Sequence, residues 1–172
     1  QAREVTRRSV ALQAGASTEC RPAPALDESR DGGADARASN DDPQRLDRHV
    51  EVPPALRHDA RGALARAARL YPVEIHAFCF LSNHFHLLLT ASGADRLAAF
   101  MNHLNSNLAR AIGRQVRWRE KLWGRRYQAI LVSDEEPAQV ERLLYVLRHG
   151  CKENLVRRPT DWPGATSTEA LL

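Results

Sequence analysis

The chain has 172 residues, a mildly basic formal net charge of +4 and three cysteines. This length suits one domain of ordinary size, and three scattered cysteines exclude a disulfide framework. The sequence shows neither an apolar run of the ~20 residues that a membrane span needs nor the apolar core of a secretory signal, so we expect a cytoplasmic protein.

Residues 1–60 differ in composition from the rest of the chain. They contain no Ile, Phe, Tyr or Trp, and every aromatic residue lies at or after Tyr71. Such a segment buries too little apolar surface to offset the entropy lost when it is ordered. We therefore expect residues 1–60 to be atypical and largely disordered, with 3–10 as a candidate strand and 11–54 irregular. The folded domain is expected to occupy residues 61–168.

Beyond the N-terminal segment, helix and strand patterns follow one another. Apolar residues at spacings of three and four predict helices, and short β-rich segments bounded by turn residues predict strands. The predicted elements are a helix over 54–70, paired strands over 73–81 and 83–89 with a turn at Ser82-Asn83, a helix over 94–114 ended by Gly113, a strand over 123–132, and a helix that starts at 133–137 and ends near His149-Gly150.

Two histidines lie in the most apolar part of the chain, on the second of the paired strands. Successive side chains of a strand point to opposite faces, so His84 and His86 share one face and Phe85 takes the other. Two neutral imidazoles about 6–7 Å apart along a strand can bind one divalent ion. Because two ligands do not make a metal site, a pair of surface histidines is an equally good interpretation of these two residues alone.

Basic and aromatic residues are interleaved at the end of the helix predicted over 94–114 and beyond it. Basic side chains attract phosphates, and aromatic faces stack on unpaired bases. A solvated basic loop that Trp123 anchors to the core is the alternative. We favour nucleic-acid binding, and the candidate contact residues are Arg114, Arg117, Trp118, Arg119, Arg125 and Arg126.

The last long helix carries a tyrosine away from its predicted core side. That side is formed by Val140, Leu143, Leu144, Leu147 and Cys151, which cluster in a helical projection. Tyr145 falls far from this cluster, and His149, one turn later, lies beside it. A phenol and an imidazole in these positions could both reach an ion held by the histidine pair. A surface tyrosine without such a role is the alternative.

These motifs, taken in order, resemble a known family. Asn83-His84-Phe85-His86-Leu87-Leu88 is similar to the histidine-hydrophobic-histidine motif of the single-tyrosine HUH transposases (IS200-like), and the REP-associated tyrosine transposases fit best. The segment 122–127, Tyr145 and the tail 161–167 follow in the family's order. The resemblance covers roughly residues 61–168. It implies an α+β fold in which an antiparallel β-sheet is backed by α-helices, the ferredoxin-like or RRM-like HUH core.

The resemblance also implies a chemistry. In this family the paired histidines and a polar residue four positions after the tyrosine hold Mg²⁺ or Mn²⁺, which makes His84, His86 and His149 the expected ligands. Tyr145 is the expected nucleophile, which attacks a DNA phosphodiester and leaves a 5′-phosphotyrosine and a free 3′-hydroxyl. The expected partner is single-stranded or hairpin DNA, and a homodimer is an open alternative because relatives dimerise. Three histidines suit a softer ion, Mn²⁺ or Zn²⁺, better than Mg²⁺.

Two other function classes fit the same residues. A decayed, non-catalytic module of the same fold would bind DNA or RNA without cleaving it. An unrelated three-histidine metalloenzyme would not depend on Arg125 or Arg126. We prefer the transposase because the histidine pair, the tyrosine and the basic-aromatic region occur together and in the family's order.

Overall fold

The computed structural model of the protein describes residues 8–15, 54–117 and 119–171. The strands in these ranges form one antiparallel sheet with the order β2-β3-β1-β4, which helices cover. The predicted α+β fold is therefore confirmed. The elements are β1 (Arg8–Gly15), α1 (Pro54–Leu70), β2 (Glu74–Phe80), β3 (His84–Ala91), α2 (Ala94–Val116), β4 (Gln128–Leu131), α3 (Glu136–Leu147), α4 (His149–Lys152), a 3₁₀ turn (Pro159–Asp161) and α5 (Thr168–Leu171).

The N-terminal strand lies in the middle of the sheet. β1 pairs with β3 from Arg8 opposite Ala91 to Gly15 opposite His84, and it pairs with β4 along its other edge. It shares only residues 8–10 with the candidate strand at 3–10 and continues into a stretch expected to be irregular. The expected boundary after residue 60 falls inside α1. Residues 1–7 and 16–53, where we expect disorder, lie outside the described part of the chain.

Replacing Leu12 by Ala tests whether β1 stabilises the domain. Leu12 is 1% exposed and belongs to the main hydrophobic core, so its truncation is expected to lower the free energy of unfolding by about 2–5 kcal/mol. Its exposed neighbour Gln13 serves as the control, and Gln13→Ala is expected to change stability by about 0.5 kcal/mol or less. Chemical denaturation measures both. Equal stability of the two variants would mean that β1 does not belong to the cooperative unit.

The sheet has two covered faces, which we call the α1/α2 face and the α3 face. Phe85, Leu87 and Leu89 of β3 pack in the cluster on the α1/α2 face. Leu88 packs with Val146 of α3 in the cluster on the opposite side. The two histidines of β3 also lie on the α3 face, so the predicted separation of His84 and His86 from Phe85 is confirmed.

The predicted core side of the last long helix is wrong in part. Val140 and Leu144 are at the surface, 47% and 36% exposed. Leu147 is buried as predicted and Leu143 packs against the same cluster, which includes Trp162 from the C-terminal tail. Val146, which was not predicted to face the core, is buried there as well. A helical projection ranks apolar residues by angle alone, whereas here the sheet and the tail determine which side of α3 is covered.

Three element boundaries also differ from the predictions. α2 runs past Gly113 to Val116, and the left-handed Arg117 caps it by donating its N–H to the Gly113 carbonyl. β4 covers only Gln128–Leu131 of the predicted strand over 123–132. The last helix breaks at Arg148, and Gly150 lies inside α4 rather than ending the helix. Within the described ranges, no helix has both the length and the apolar character to cross a membrane.

Candidate functional site

Three imidazoles converge on the α3 face of the sheet. β3 supplies His84 and His86, and the short helix α4 supplies His149. One ring nitrogen from each lies within 4.8 Å of the others. His84 Nε2 is 3.1 Å from His149 Nε2, and the rings of His86 and His149 are 3.8 Å apart between centroids. Strand β3 and helix α4 therefore bring together His84 and His149, which are 65 positions apart in the chain.

The residue before the pair fixes the first imidazole. His84 Nδ1 lies 2.7 Å from the side-chain oxygen of Asn83, to which it donates its proton. The lone pair of His84 then lies on Nε2, the atom that faces His149. Histidines that bind metals are commonly oriented in this way by a hydrogen bond at the other ring nitrogen.

Burial keeps all three imidazoles neutral. Burial, together with the smaller effects of the neighbouring His149, His84 and Lys152, lowers the pKa of His86 to about 3. Burial also lowers the pKa of His84 and of His149, although Glu153 partly opposes both shifts. Neutral rings offer nitrogen lone pairs at physiological pH, and this is the form that binds a cation.

These residues fit a divalent metal ion. His86 Nε2 and His149 Nδ1 are buried and have no hydrogen-bond partner, although buried polar atoms are usually paired. A cation bound by the cluster would satisfy the His86 nitrogen. The nitrogen donors suit Mn²⁺ or Zn²⁺.

Tyr145 lies beside the histidines. It is half-buried on α3, with its ring centroid 5.5 Å from that of His86 and 5.0 Å from that of His149. Lys152 Nζ lies over the ring, 4.2 Å from its centroid, and Arg142 Cζ lies 5.5 Å from it. Tyr145 was expected to lie outside the core side of the helix and to reach the histidine pair. It does lie beside the histidines, and it also packs against the cluster on the α3 face. The phenol is therefore held between the histidines and two cations.

Four neighbours of this cluster were not singled out from the sequence. Asn83 orients His84, Arg142 and Lys152 flank Tyr145, and Glu153 Oε1 lies 3.4 Å from His149 Nε2. Their positions in the chain could have indicated that they lie near the site, because each is adjacent to a site residue or within one helical turn of one.

The loop after α2, which carries most of the predicted DNA-contact residues, is anchored away from the histidines. Trp123 stacks edge-on against Phe85 and donates its indole N–H to the Asn105 carbonyl, so it anchors the loop to the α1/α2 face. Arg126 and Tyr127 line a shallow cavity with residues of α2. These contacts are on the opposite side of the sheet from the histidines. Arg114, Arg117, Arg119, Arg125 and Arg126 are exposed, and Trp118 lies outside the described residues.

Comparisons with known proteins give a consistent result. The family model described as "Transposase IS200 like" matches residues 48–146. A Haemophilus influenzae (strain Rd) protein named as a REP-associated tyrosine transposase is 27% identical over 116 residues, which are 62% of this chain. The match spans about 65% of that relative's length. The solved structure of a REP-associated tyrosine transposase bound to a REP hairpin has a TM-score of 0.62 and 16% identity, covering 99% of this chain and 82% of that one. The likeness to this solved structure supports the α+β fold.

Proposed function

Because the chain belongs to the IS200-like transposase family, as its motifs predicted, we propose that it is a metal-dependent transposase of the REP-associated tyrosine type. It cleaves and rejoins single-stranded or hairpin DNA. The observation that carries the proposal is the convergence of His84, His86 and His149 beside Tyr145 on one face of the sheet. The hairpin bound by the structural relative supports hairpin DNA as the substrate class.

In the proposed reaction Tyr145 is the nucleophile. Its hydroxyl oxygen bonds to a DNA phosphorus while the bond from phosphorus to the 3′-oxygen breaks. The products are a 5′-phosphotyrosine and a free 3′-hydroxyl, and the proton that the phenol loses is balanced by the proton that the leaving oxygen gains. A second 3′-hydroxyl can reverse the step and rejoin strands, since no water or oxidant is consumed.

The surrounding residues position the reacting groups. The histidines would hold Mg²⁺ or Mn²⁺, which supplies Lewis-acid polarisation of the phosphate. Lys152 and Arg142, which contact the Tyr145 ring, provide positive charge where the phosphate must approach. Asn83 keeps His84 in the tautomer in which Nε2 carries no proton.

Binding outside the site is assigned to the basic region. We propose that Arg114, Arg117, Trp118, Arg119, Arg125 and Arg126 contact DNA backbone or bases. The described members of this set are exposed, as phosphate contacts require. The proposal includes action in the cytoplasm, with a homodimer as the alternative to a monomer.

A covalent-adduct assay tests the proposed function. The protein is mixed with 3′-end-labelled single-stranded hairpin DNA and either Mn²⁺ or a chelator, and the products are separated under denaturing conditions. We expect an SDS-resistant adduct that carries the 3′-labelled fragment only with Mn²⁺, because the tyrosine retains the 5′-phosphate of that fragment. The released fragment is expected to end in a 3′-hydroxyl that a polymerase can extend.

Other results would identify the competing functions. Hairpin binding without cleavage, by protein that circular dichroism shows to be folded, would indicate the non-catalytic module. Hydrolytic activity on another substrate that survives the double replacement R125A/R126A would indicate an unrelated metalloenzyme. An adduct of equal yield in the presence of chelator would contradict the metal requirement.

A further inference from the structure

An acidic side chain lies at the edge of the histidine cluster. Glu153 Oε1 is 3.4 Å from His149 Nε2, and the same nitrogen is 3.1 Å from His84 Nε2. Oxygen and nitrogen ligands lie about 2.0–2.2 Å from such an ion, so adjacent ligand atoms are separated by roughly 3.0–3.4 Å. The carboxylate therefore lies at the distance expected of a ligand adjacent to His149.

The turn that carries both residues is well fixed. The Glu153 N–H donates to the His149 carbonyl at 3.0 Å, and the next residue, Asn154, adopts the left-handed conformation (φ 54) that ends the turn. The Leu155 N–H then donates to the Gly150 carbonyl at 3.0 Å. A four-residue spacing in one turn places the two side chains next to each other without any rearrangement of the backbone.

Charge gives the carboxylate a role that the histidines cannot supply. Three neutral imidazoles leave a divalent ion with its full charge beside Lys152, whereas one carboxylate offsets half of that charge. A carboxylate oxygen also shifts a nitrogen site towards harder ions such as Mn²⁺. The Glu153 side chain is 45% exposed, so the cost of desolvating it is small.

We propose that Glu153 is a fourth, carboxylate ligand of the divalent ion held by His84, His86 and His149. This inference rests on the proposed function, because it concerns the ion of that reaction. It adds a ligand from the turn after the tyrosine helix and makes the donor set three nitrogens and one oxygen.

Direct Mn²⁺ binding tests the inference without measuring DNA cleavage. Free Mn²⁺ is followed by its solution EPR signal as protein is titrated, with native protein, Glu153→Gln and the control Glu120→Gln. Glu120 is an exposed glutamate in the loop after α2. We expect Glu153→Gln to weaken Mn²⁺ binding by about 10- to 100-fold, the range seen when groups that support a metal site are removed, and Glu120→Gln to leave it unchanged. Glu153→Asp, which keeps a shorter carboxylate, is expected to bind with intermediate affinity.

His84→Ala separates failure of this inference from failure of the proposed function. If Glu153→Gln binds Mn²⁺ like the native protein while His84→Ala does not, Glu153 is not a ligand and the proposed function stands. If the native protein does not bind Mn²⁺, the metal-dependent function and the inference both fail. Weakening by Glu120→Gln equal to that by Glu153→Gln would show a general charge effect and overturn the inference.

Discussion

The Tyr145→Phe protein is expected to form no covalent DNA adduct while it binds hairpin DNA and Mn²⁺ like the native protein. Only the hydroxyl oxygen is removed, and the ring keeps its neighbours His86 and His149 at 5.5 and 5.0 Å between centroids. Loss of a covalent nucleophile commonly reduces turnover by at least about a thousandfold. Because the phenylalanine ring fills the same space, folding and ligand binding are not expected to change.

Tyr127→Phe is the matched control for this experiment. Tyr127 packs against the main core on the α1/α2 face, away from the histidines, so its hydroxyl is not expected to contribute to cleavage. Adduct yield on a denaturing gel and Mn²⁺ affinity are measured for the native protein and both variants. Adduct formation by Tyr145→Phe at the native level would assign the nucleophile to another residue and remove the central step of the proposed mechanism.

Strand β3 shows why part of the site was predictable from sequence. Side chains alternate strictly along a strand, so the positions of His84, Phe85 and His86 determine which residues share a face. The structure places Phe85 in the core and both histidines opposite it, as this rule requires. The order of the motifs then predicted the family, which the family match over residues 48–146 confirms.

The N-terminal strand and the orientation of α3 could not be predicted in the same way. β1 presents Val10, Leu12 and Ala14 to the core, but only its first three residues show a weak strand pattern, and the stretch that follows, rich in Ala, Asp, Arg, Ser, Gly and Pro, has the composition of an irregular region. Its order comes from pairing with β3 and β4, which are distant in sequence. The covered side of α3 likewise depends on Trp162, which no local pattern in the helix indicates.

The residues that flank Tyr145 and His149 were identified from their contacts in the structure. His149 was expected from its spacing after Tyr145, whereas Lys152 and Glu153 occur in an ordinary polar sequence. In the structure α3 ends at Leu147 and α4 begins at His149, and Lys152 lies over the tyrosine ring while Glu153 lies beside His149. The sequence predicted a helix that ends near His149-Gly150, so it assigned no helical position to either residue.

Replacing Trp162 by Ala is expected to lower the free energy of unfolding by about 3–5 kcal/mol and to weaken Mn²⁺ binding as well. The indole is 4% exposed, packs with Val146 and Leu147, and donates its N–H to the Phe80 carbonyl at 2.9 Å. A Cβ at Gly150 would lie 3.7 Å from Trp162, so the indole also supports the turn that begins with His149. Loss of the ring therefore removes apolar contacts and loosens one of the expected ligands.

Two further variants separate these contributions. Trp162→Phe keeps most of the apolar volume but leaves the buried Phe80 carbonyl without this donor, so a loss of about 1–3 kcal/mol is expected. Leu131→Ala, at a side chain that is 62% exposed, is expected to change stability by about 0.5 kcal/mol or less. Chemical denaturation and Mn²⁺ titration measure all three proteins. If Trp162→Ala loses stability but binds Mn²⁺ with native affinity below its unfolding transition, the tail stabilises the domain without positioning His149, and α4 holds that histidine by its own hydrogen bonds.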